Sequence, residues 1–153
     1  MTDFTKQIFS ISNAHEFEQA SLAIFNRQAE NCRVYKEYIY HLGISAKDVT
    51  SLTKIPYLPI SFFKTHEVLS SPNTPEIIFS SSGTTGMIQS KHLVTDVSIY
   101  EQSFNMAFEQ FYGDIANTCL LALLPSYLER DGSSLIYMVD ALLNQSKHPD
   151  SGY

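Results

Sequence analysis

The sequence has no tryptophan, only two cysteines, and fewer basic than acidic residues. Cys32 and Cys119 are too few for a disulfide framework or a cysteine metal site, and their apolar neighbours predict two buried free thiols. With 10 Lys and Arg against 16 Asp and Glu, the net charge is −6. No run of sequence forms a basic face, which excludes nucleic acid as the main partner.

Long apolar runs are also missing. No stretch approaches the roughly 20 apolar residues that a membrane-spanning helix needs. The N-terminus, Met-Thr-Asp-Phe-Thr-Lys-Gln-Ile-Phe, lacks the apolar segment of a secretory signal. The five histidines show no metal-ligand spacing, so no protein-held metal is predicted. We therefore expect a cytoplasmic protein with no membrane span.

The first part of the chain is helical in pattern. Between Asn13 and Gly43, apolar residues recur at three- and four-residue steps, which predicts two helices with a break near Asn31 and a cap at Gly43. Pro56 and Pro59 then force an extended passage. Residues 1–54 are expected to form a mainly helical lead-in.

Residues 55–153 are expected to be the α/β part of one domain that spans 1–153. The apolar pattern predicts short strands at Glu76–Phe79 and Gln89–Thr95, and a third strand, buried on both faces, at Thr118–Leu124. Helices are predicted in two places, from Thr95 or Asp96 to Tyr112 and from Ser133 or Ser134 onward. Helices followed by alternating strands and helices indicate an α/β fold with an incomplete sheet.

A stretch rich in serine, glycine and threonine, Ser80-Ser81-Ser82-Gly83-Thr84-Thr85-Gly86, follows the first predicted strand. Its glycines let the backbone turn and present successive N–H groups to an anion, and its hydroxyls add donors without bulk. The spacing excludes a Walker A loop, a dinucleotide-binding fingerprint and a nucleophile elbow. From composition, both a plain linker and a phosphate-binding loop stay open.

The string Ser81-Ser82-Gly83-Thr84-Thr85-Gly86 resembles the signature loop of the adenylate-forming superfamily. Two flanking segments are similar to the acyl-protein synthetase and phenylacetate–CoA ligase branch of that superfamily. One is Ile55–Val68, which contains Phe-Phe-Lys, and the other is Leu123–Leu135, which looks like the motif lining the acyl pocket. The chain thus resembles the N-terminal part of the large domain of these enzymes.

The resemblance implies a reaction in two steps with ATP and Mg²⁺. A carboxylic acid, fatty or aryl, is converted to an acyl-adenylate, and the acyl group then passes to a thiol of a protein or of CoA. The residues implied to bind the β- and γ-phosphates are Ser81, Ser82, Gly83, Thr84, Thr85 and Gly86. Lys91 is a further candidate ligand, but it follows Gly86 at five residues instead of the usual three, so a solvated lysine at a strand edge stays open.

In the same family the adenine-binding motif, the ribose-binding Asp, the hinge and the mobile C-terminal lysine come later than residue 153. Neither Cys32 nor Cys119 matches the acyl-accepting cysteine of the acyl-protein synthetases. The chain is therefore expected to be an N-terminal fragment, with weak or absent turnover alone and a tendency to self-associate. Three alternatives stay open: an acyl- or aryl-CoA ligase, a non-catalytic fragment with an idle loop, and an unrelated nucleotide-binding domain.

Overall fold

Six α-helices and one two-stranded sheet form the regular structure of the residues that the computed structural model describes, which are 3–81, 88–123 and 132–153. In chain order they are α1 (Asp3–Phe9), α2 (Ala14–Asn31), α3 (Arg33–His41), α4 (Phe62–Thr65), β1 (Ile77–Ser80), β2 (Lys91–Val94), α5 (Val97–Tyr112) and α6 (Ser134–Gln145). The coarse prediction of a mixed α and β chain is confirmed. The chain divides into two compact units, Met1–Thr74 and Pro75–Tyr153.

The break between α2 and α3 lies where the sequence predicts it. The side-chain amide of Asn31 donates to the carbonyl of Arg27 at 2.8 Å, a local bond that competes with the helical ladder. Cys32 follows in an extended conformation and its carbonyl accepts from Lys36 at the start of α3. At the other end of α3, Gly43 has φ 68°, a left-handed conformation that glycine adopts without a Cβ clash.

The core of the first unit is built on α2 and α3. Its buried members are Phe25, Ala29, Cys32, Val34, Tyr35, Ile39 and Val49. The proline-containing passage is tied to α3 by two phenols: Tyr35 donates to the carbonyl of Pro56 at 2.6 Å, and Tyr38 donates to the carbonyl of Tyr57 at 3.2 Å. An extended segment with few N–H donors is thus anchored through its carbonyls.

In the second unit, β1 and β2 form an antiparallel pair, and helices α5 and α6 contact each other. Asp96 is the N-cap of α5, and its carboxylate accepts from the N–H of Ser98 at 3.1 Å. The carboxylate of Glu76, just ahead of β1, accepts from the N–H of Val97 at 2.9 Å. Two acceptors therefore satisfy free N–H groups of the first turn of α5, where negative charge is favourable.

The prediction of a third strand at Thr118–Leu124 is wrong for the part of this segment that the structure describes. Through residue 123, this segment forms one isolated parallel bridge, between Leu121 and Gly152, with no strand pairing along its length. Leu121 is 70% exposed and Leu123 is fully exposed. An apolar run does not identify its pairing partner, and here Gly152 alone supplies one.

The structure also bears on the expectations for the two cysteines and for a membrane-spanning helix. Cys32 is a buried free thiol, as predicted, whereas Cys119 is exposed, so the prediction of two buried thiols is wrong for Cys119. Cys119 lies within the apolar segment that fails to form a strand, which explains why its apolar neighbours do not cover it. Among the described residues, no helix is both long enough and apolar enough to cross a lipid bilayer.

Candidate functional site

A β-hairpin carries the predicted phosphate loop between its two strands. In the register of β1 and β2, Phe79 lies opposite His92 and Ser80 lies opposite Lys91. Directly opposed side chains of an antiparallel pair share one face of the sheet, and successive residues alternate between faces. Lys91 therefore lies on the face of Ser80, while Phe79 points to the other face.

The hairpin closes one residue beyond the last strand pair. The N–H of Ser81 donates to the carbonyl of Ser90 at 3.0 Å, and the N–H of Ser90 donates to Ser81 Oγ at 3.0 Å. Ser90 is buried, while Ser81 is exposed. Because Ser81 Oγ acts as acceptor in this bond, its hydroxyl hydrogen remains to be donated to another acceptor.

The beginning of α6 lies against the end of β1. The N–H of Ser80 donates to the carbonyl of Gly132 at 2.8 Å. Gly132 has φ 78°, and a Cβ at this position would lie 3.0 Å from Ser80 Oγ. Ser133 then caps α6, because its Oγ accepts from the N–H of Ile136 at 3.4 Å. A glycine is required where the chain passes this close to the strand.

The position of α6 gives this end of the sheet a favourable field for anions. A helix of 12 residues carries a partial positive charge at its N-terminus, where free N–H groups converge. Lys91 is exposed at the same end of the sheet and adds a full positive charge. Both contributions favour a negatively charged group near Ser80 and Ser81.

An aromatic cluster holds β1, α5 and α6 together beneath the hairpin. The ring of Phe79 is 5.4 Å from that of Tyr100 and 5.6 Å from that of Tyr137, in edge-to-face geometry. Tyr100 donates to the carbonyl of Ser134 at 2.9 Å, and Tyr137 donates to Glu101 Oε1 at 2.6 Å. Burial raises the pKa of Tyr100, which opposes loss of its donor proton at alkaline pH.

Two of the predicted site residues, Ser81 and Lys91, belong to the described part of the chain. The hairpin brings both to one end of the sheet, on either side of the predicted loop. The other predicted ligands, Ser82, Gly83, Thr84, Thr85 and Gly86, lie outside the described residues. So do residues 124–131, most of the segment that resembles an acyl-pocket motif.

Sequence reasoning missed the contact of Gly132, just ahead of α6, with Ser80 at the end of β1. The cap at Ser133 was predicted, but its position next to Ser80 depends on a contact between residues far apart in the chain. The available signal was the small-residue string Gly132-Ser133-Ser134, which resembles the composition of the loop itself. Small residues are common where two backbones approach closely.

Comparison of the chain with known proteins found no matching family model, no matching curated protein and no matching solved structure. Within the part of the chain that the structure covers, no group of three or more His, Cys, Asp or Glu residues is arranged to hold a metal ion.

Proposed function

We propose that this chain carries the polyphosphate-binding loop of an ATP-dependent acyl-activating enzyme of the acyl-protein synthetase type. The reaction would join a carboxylic acid to AMP, with release of pyrophosphate, and then transfer the acyl group to a thiol. The observation that carries this proposal is the loop motif at 81–86, placed between the strands of a hairpin whose stem meets the N-terminus of α6.

The residues around the loop fit a polyphosphate in charge and in donors. The ammonium of Lys91 and the hydroxyl of Ser81 are donors at one end of the sheet, and Gly132, two positions before α6, is bonded to Ser80 at that end. Ser81 would donate its free hydroxyl hydrogen, and Lys91 would pair with a phosphate oxygen as a point charge.

Catalysis of phosphoryl and adenylyl transfer depends mainly on positioning of the reacting groups and on electrostatic stabilisation of the negative charge on the phosphate oxygens. Bound Mg²⁺ would neutralise charge on the phosphate oxygens. The protein would contribute fixed donors that need no rearrangement during reaction, since Ser81 is held by Ser90 and α6 is held by Ser80 and the aromatic cluster. The loop residues Ser82, Gly83, Thr84, Thr85 and Gly86 would supply the remaining contacts.

The acyl acceptor is proposed to be a thiol of another molecule, either a protein cysteine or CoA. Cys32 is 1% exposed, so its sulfur has no path to an acyl-adenylate. Cys119 is exposed but does not match the acceptor position of the family. Of the two acceptors, we propose the protein thiol, and a CoA ligase is the alternative.

Binding of tripolyphosphate by the full 153-residue chain, measured by isothermal titration calorimetry, tests the loop separately from turnover. We expect Lys91→Met to weaken binding at least tenfold, because a charge-assisted contact contributes about 1.5–3 kcal/mol and about 1.4 kcal/mol is a factor of ten. Thr84→Val should weaken it as well. Lys54→Met, which removes an exposed lysine of the first unit, should leave binding unchanged.

Two results would contradict the proposal. If tripolyphosphate does not bind, or if Lys91→Met and Lys54→Met behave alike, the loop is idle and the chain is a non-catalytic module. ATP–pyrophosphate exchange with fatty and aryl acids then tests the chemistry: fatty-acid-dependent exchange supports the acyl-protein synthetase type. Exchange that responds only to aryl acids favours the CoA ligase alternative.

A further inference from the structure

The first unit contains a pocket of about 290 Å³ beside its core. Its inner wall includes Phe25, Cys32 and Tyr35, which are 2%, 1% and 4% exposed. Phe17 and Tyr57, at 51% and 70% exposed, line the same pocket and mark its mouth. All of the lining residues belong to Met1–Thr74, so the pocket involves none of the residues of the candidate phosphate site.

The lining of the pocket carries no charge. Its side chains are aliphatic, aromatic or neutral and polar, and the polar ones include Ser21, Gln28 and Ser70. The phenol of Tyr35 is already bonded to the Pro56 carbonyl, and burial raises the pKa of Tyr35 to about 12, so it is neutral at physiological pH. An ionised ligand group inside would find no partner of opposite charge, which is strongly unfavourable.

The volume limits the size of a ligand. An engineered protein cavity of about 150 Å³ with an apolar lining stays dry and binds benzene. The pocket here is roughly twice that size, which suits two fused aromatic rings or an alkyl chain of similar volume. Several lining side chains are aromatic and would favour a flat ring system through edge and face contacts.

The pocket also offers a polar contact near its mouth. Gln28 is exposed, and its side-chain amide makes no hydrogen bond to any residue that the structure describes. Ser21 lies about two turns away on the same helix, and its hydroxyl donates to the carbonyl of Phe17 at 2.7 Å. Gln28 is therefore the side chain at the mouth that can exchange a hydrogen bond with a ligand hydroxyl.

We propose that this pocket is a binding site for an uncharged, largely apolar small molecule of about two fused rings, whose single hydroxyl group bonds to Gln28 at the mouth. This site is additional to the proposed acyl-activating function and does not depend on it. The uncharged lining distinguishes it from a site for a free carboxylic acid. It also separates the ligand class from the polyphosphate expected at the loop.

The proposal is tested with a matched pair of probes, 2-naphthol and naphthalene-2-sulfonate, titrated into the full chain and followed by probe fluorescence. We expect saturable one-to-one binding of 2-naphthol, and binding of the sulfonate at least tenfold weaker, because the ring systems are the same and the sulfonate brings a negative charge to an uncharged lining. Equal affinity for both probes, or no saturable binding of 2-naphthol, would overturn the proposal.

Variants locate the site. Ser21→Phe should fill the pocket and weaken 2-naphthol binding at least tenfold, whereas Ala23→Phe, exposed on the same helix and outside the lining, should leave it unchanged. Gln28→Leu should weaken 2-naphthol binding several-fold but not the binding of naphthalene. Gln19→Leu, an exposed glutamine outside the lining, is its control. Equal effects of the two phenylalanine variants would contradict the location.

A measurement on the unmodified chain covers the case in which a variant fails to fold. Methyl NMR signals of Ile24, Ile55 and Val68, which line the pocket, should shift on addition of 2-naphthol, while that of Leu142 in the second unit should not. If instead the same lining methyl groups shift only with protein concentration, the pocket is covered by a second copy of the chain, and the small-molecule proposal is wrong.

Discussion

Tyr35 packs in the core of the first unit, donates a hydrogen bond and has a raised pKa. Its ring packs edge-on against Phe25 with 6.1 Å between centroids, and its hydroxyl holds the extended passage through Pro56. Burial raises its pKa to about 12, and the nearby phenols of Tyr38 and Tyr57 act in the same direction. The phenol of Tyr35 thus holds the carbonyl of Pro56 only while it remains protonated.

This makes the stability of the chain sensitive to alkaline pH. A tyrosine in an unfolded chain has a pKa of about 10, so between about pH 10 and pH 12 the folded state binds the Tyr35 proton more tightly than the unfolded state. The free energy of unfolding should therefore fall as pH rises through that window. Tyr35→Phe should make the fall shallower, and should lower stability at pH 7 by about 1 kcal/mol through loss of the bond to Pro56.

Urea unfolding at pH 7 and at steps between pH 9.5 and pH 12.5 measures both effects. Tyr40→Phe is the matched control, because Tyr40 is 77% exposed on the same helix. An alkaline fall of equal steepness in both variants would show that Tyr35 is not the titrating group. Some fall is expected to remain in Tyr35→Phe, since burial also raises the pKa of Tyr100.

At the scale of elements, Gly132, just ahead of α6, lies close to Ser80 at the end of β1. We expect Gly132→Ala to lower the free energy of unfolding by about 1–2 kcal/mol for the left-handed backbone alone, and by more because the new Cβ meets Ser80 Oγ at 3.0 Å. Gly43→Ala is the comparison, since Gly43 has a similar φ of 68° and no atom within 4 Å of such a Cβ.

Chemical denaturation of the two alanine variants separates the backbone cost from the contact. The double variant Gly132→Ala/Ser80→Ala should recover the part of the loss due to the contact, since the Oγ atom is gone. If Gly132→Ala costs no more than Gly43→Ala, the close approach of the α6 connection to β1 is not tight in solution.

The elements also show which kinds of structure a sequence predicts. Helix boundaries at Asn31, Gly43, Asp96 and Ser133 were predictable, because each depends on a side chain or glycine acting within a few residues of itself. The strand expected at Thr118–Leu124 was not, because a strand needs a partner elsewhere in the chain.

The same distinction holds at the candidate site. The positions of Ser81 and Lys91 at one end of a hairpin follow from two predicted strands that are neighbours in sequence. The meeting of Ser80 with Gly132 has no such local signal, since 51 residues separate the two in the sequence. The pocket of the first unit could not be predicted from the sequence either. Its lining comes from helices, turns and the extended passage, which are separate segments of the chain.

At the scale of the whole molecule, the two compact units have separate cores. Phe25 is 2% exposed in the first unit and Phe104 is 6% exposed in the second. Truncating a buried phenylalanine to alanine costs about 3–5 kcal/mol. We expect Phe25→Ala to reduce amide hydrogen-exchange protection mainly within residues 1–74, and Phe104→Ala to reduce it mainly within residues 75–153.

Hydrogen exchange followed by mass spectrometry of peptides from both units gives the measurement, and each variant serves as the control for the other. A loss of protection spread evenly over the whole chain in both variants would show that the chain unfolds as one cooperative body instead of two.

The closed stem of the hairpin has a consequence for how the loop can change. Bringing the ends of a flexible segment together costs conformational entropy that rises by only about 0.6 kcal/mol for each doubling of its length. Between Ser81 and Ser90, nine positions apart, the stem bonds already maintain that closure. Added residues within 82–89 should therefore cost the fold little. Folding then opposes a longer segment only weakly, and a strict upper limit on its length measured in a binding assay would come from the bound ligand itself.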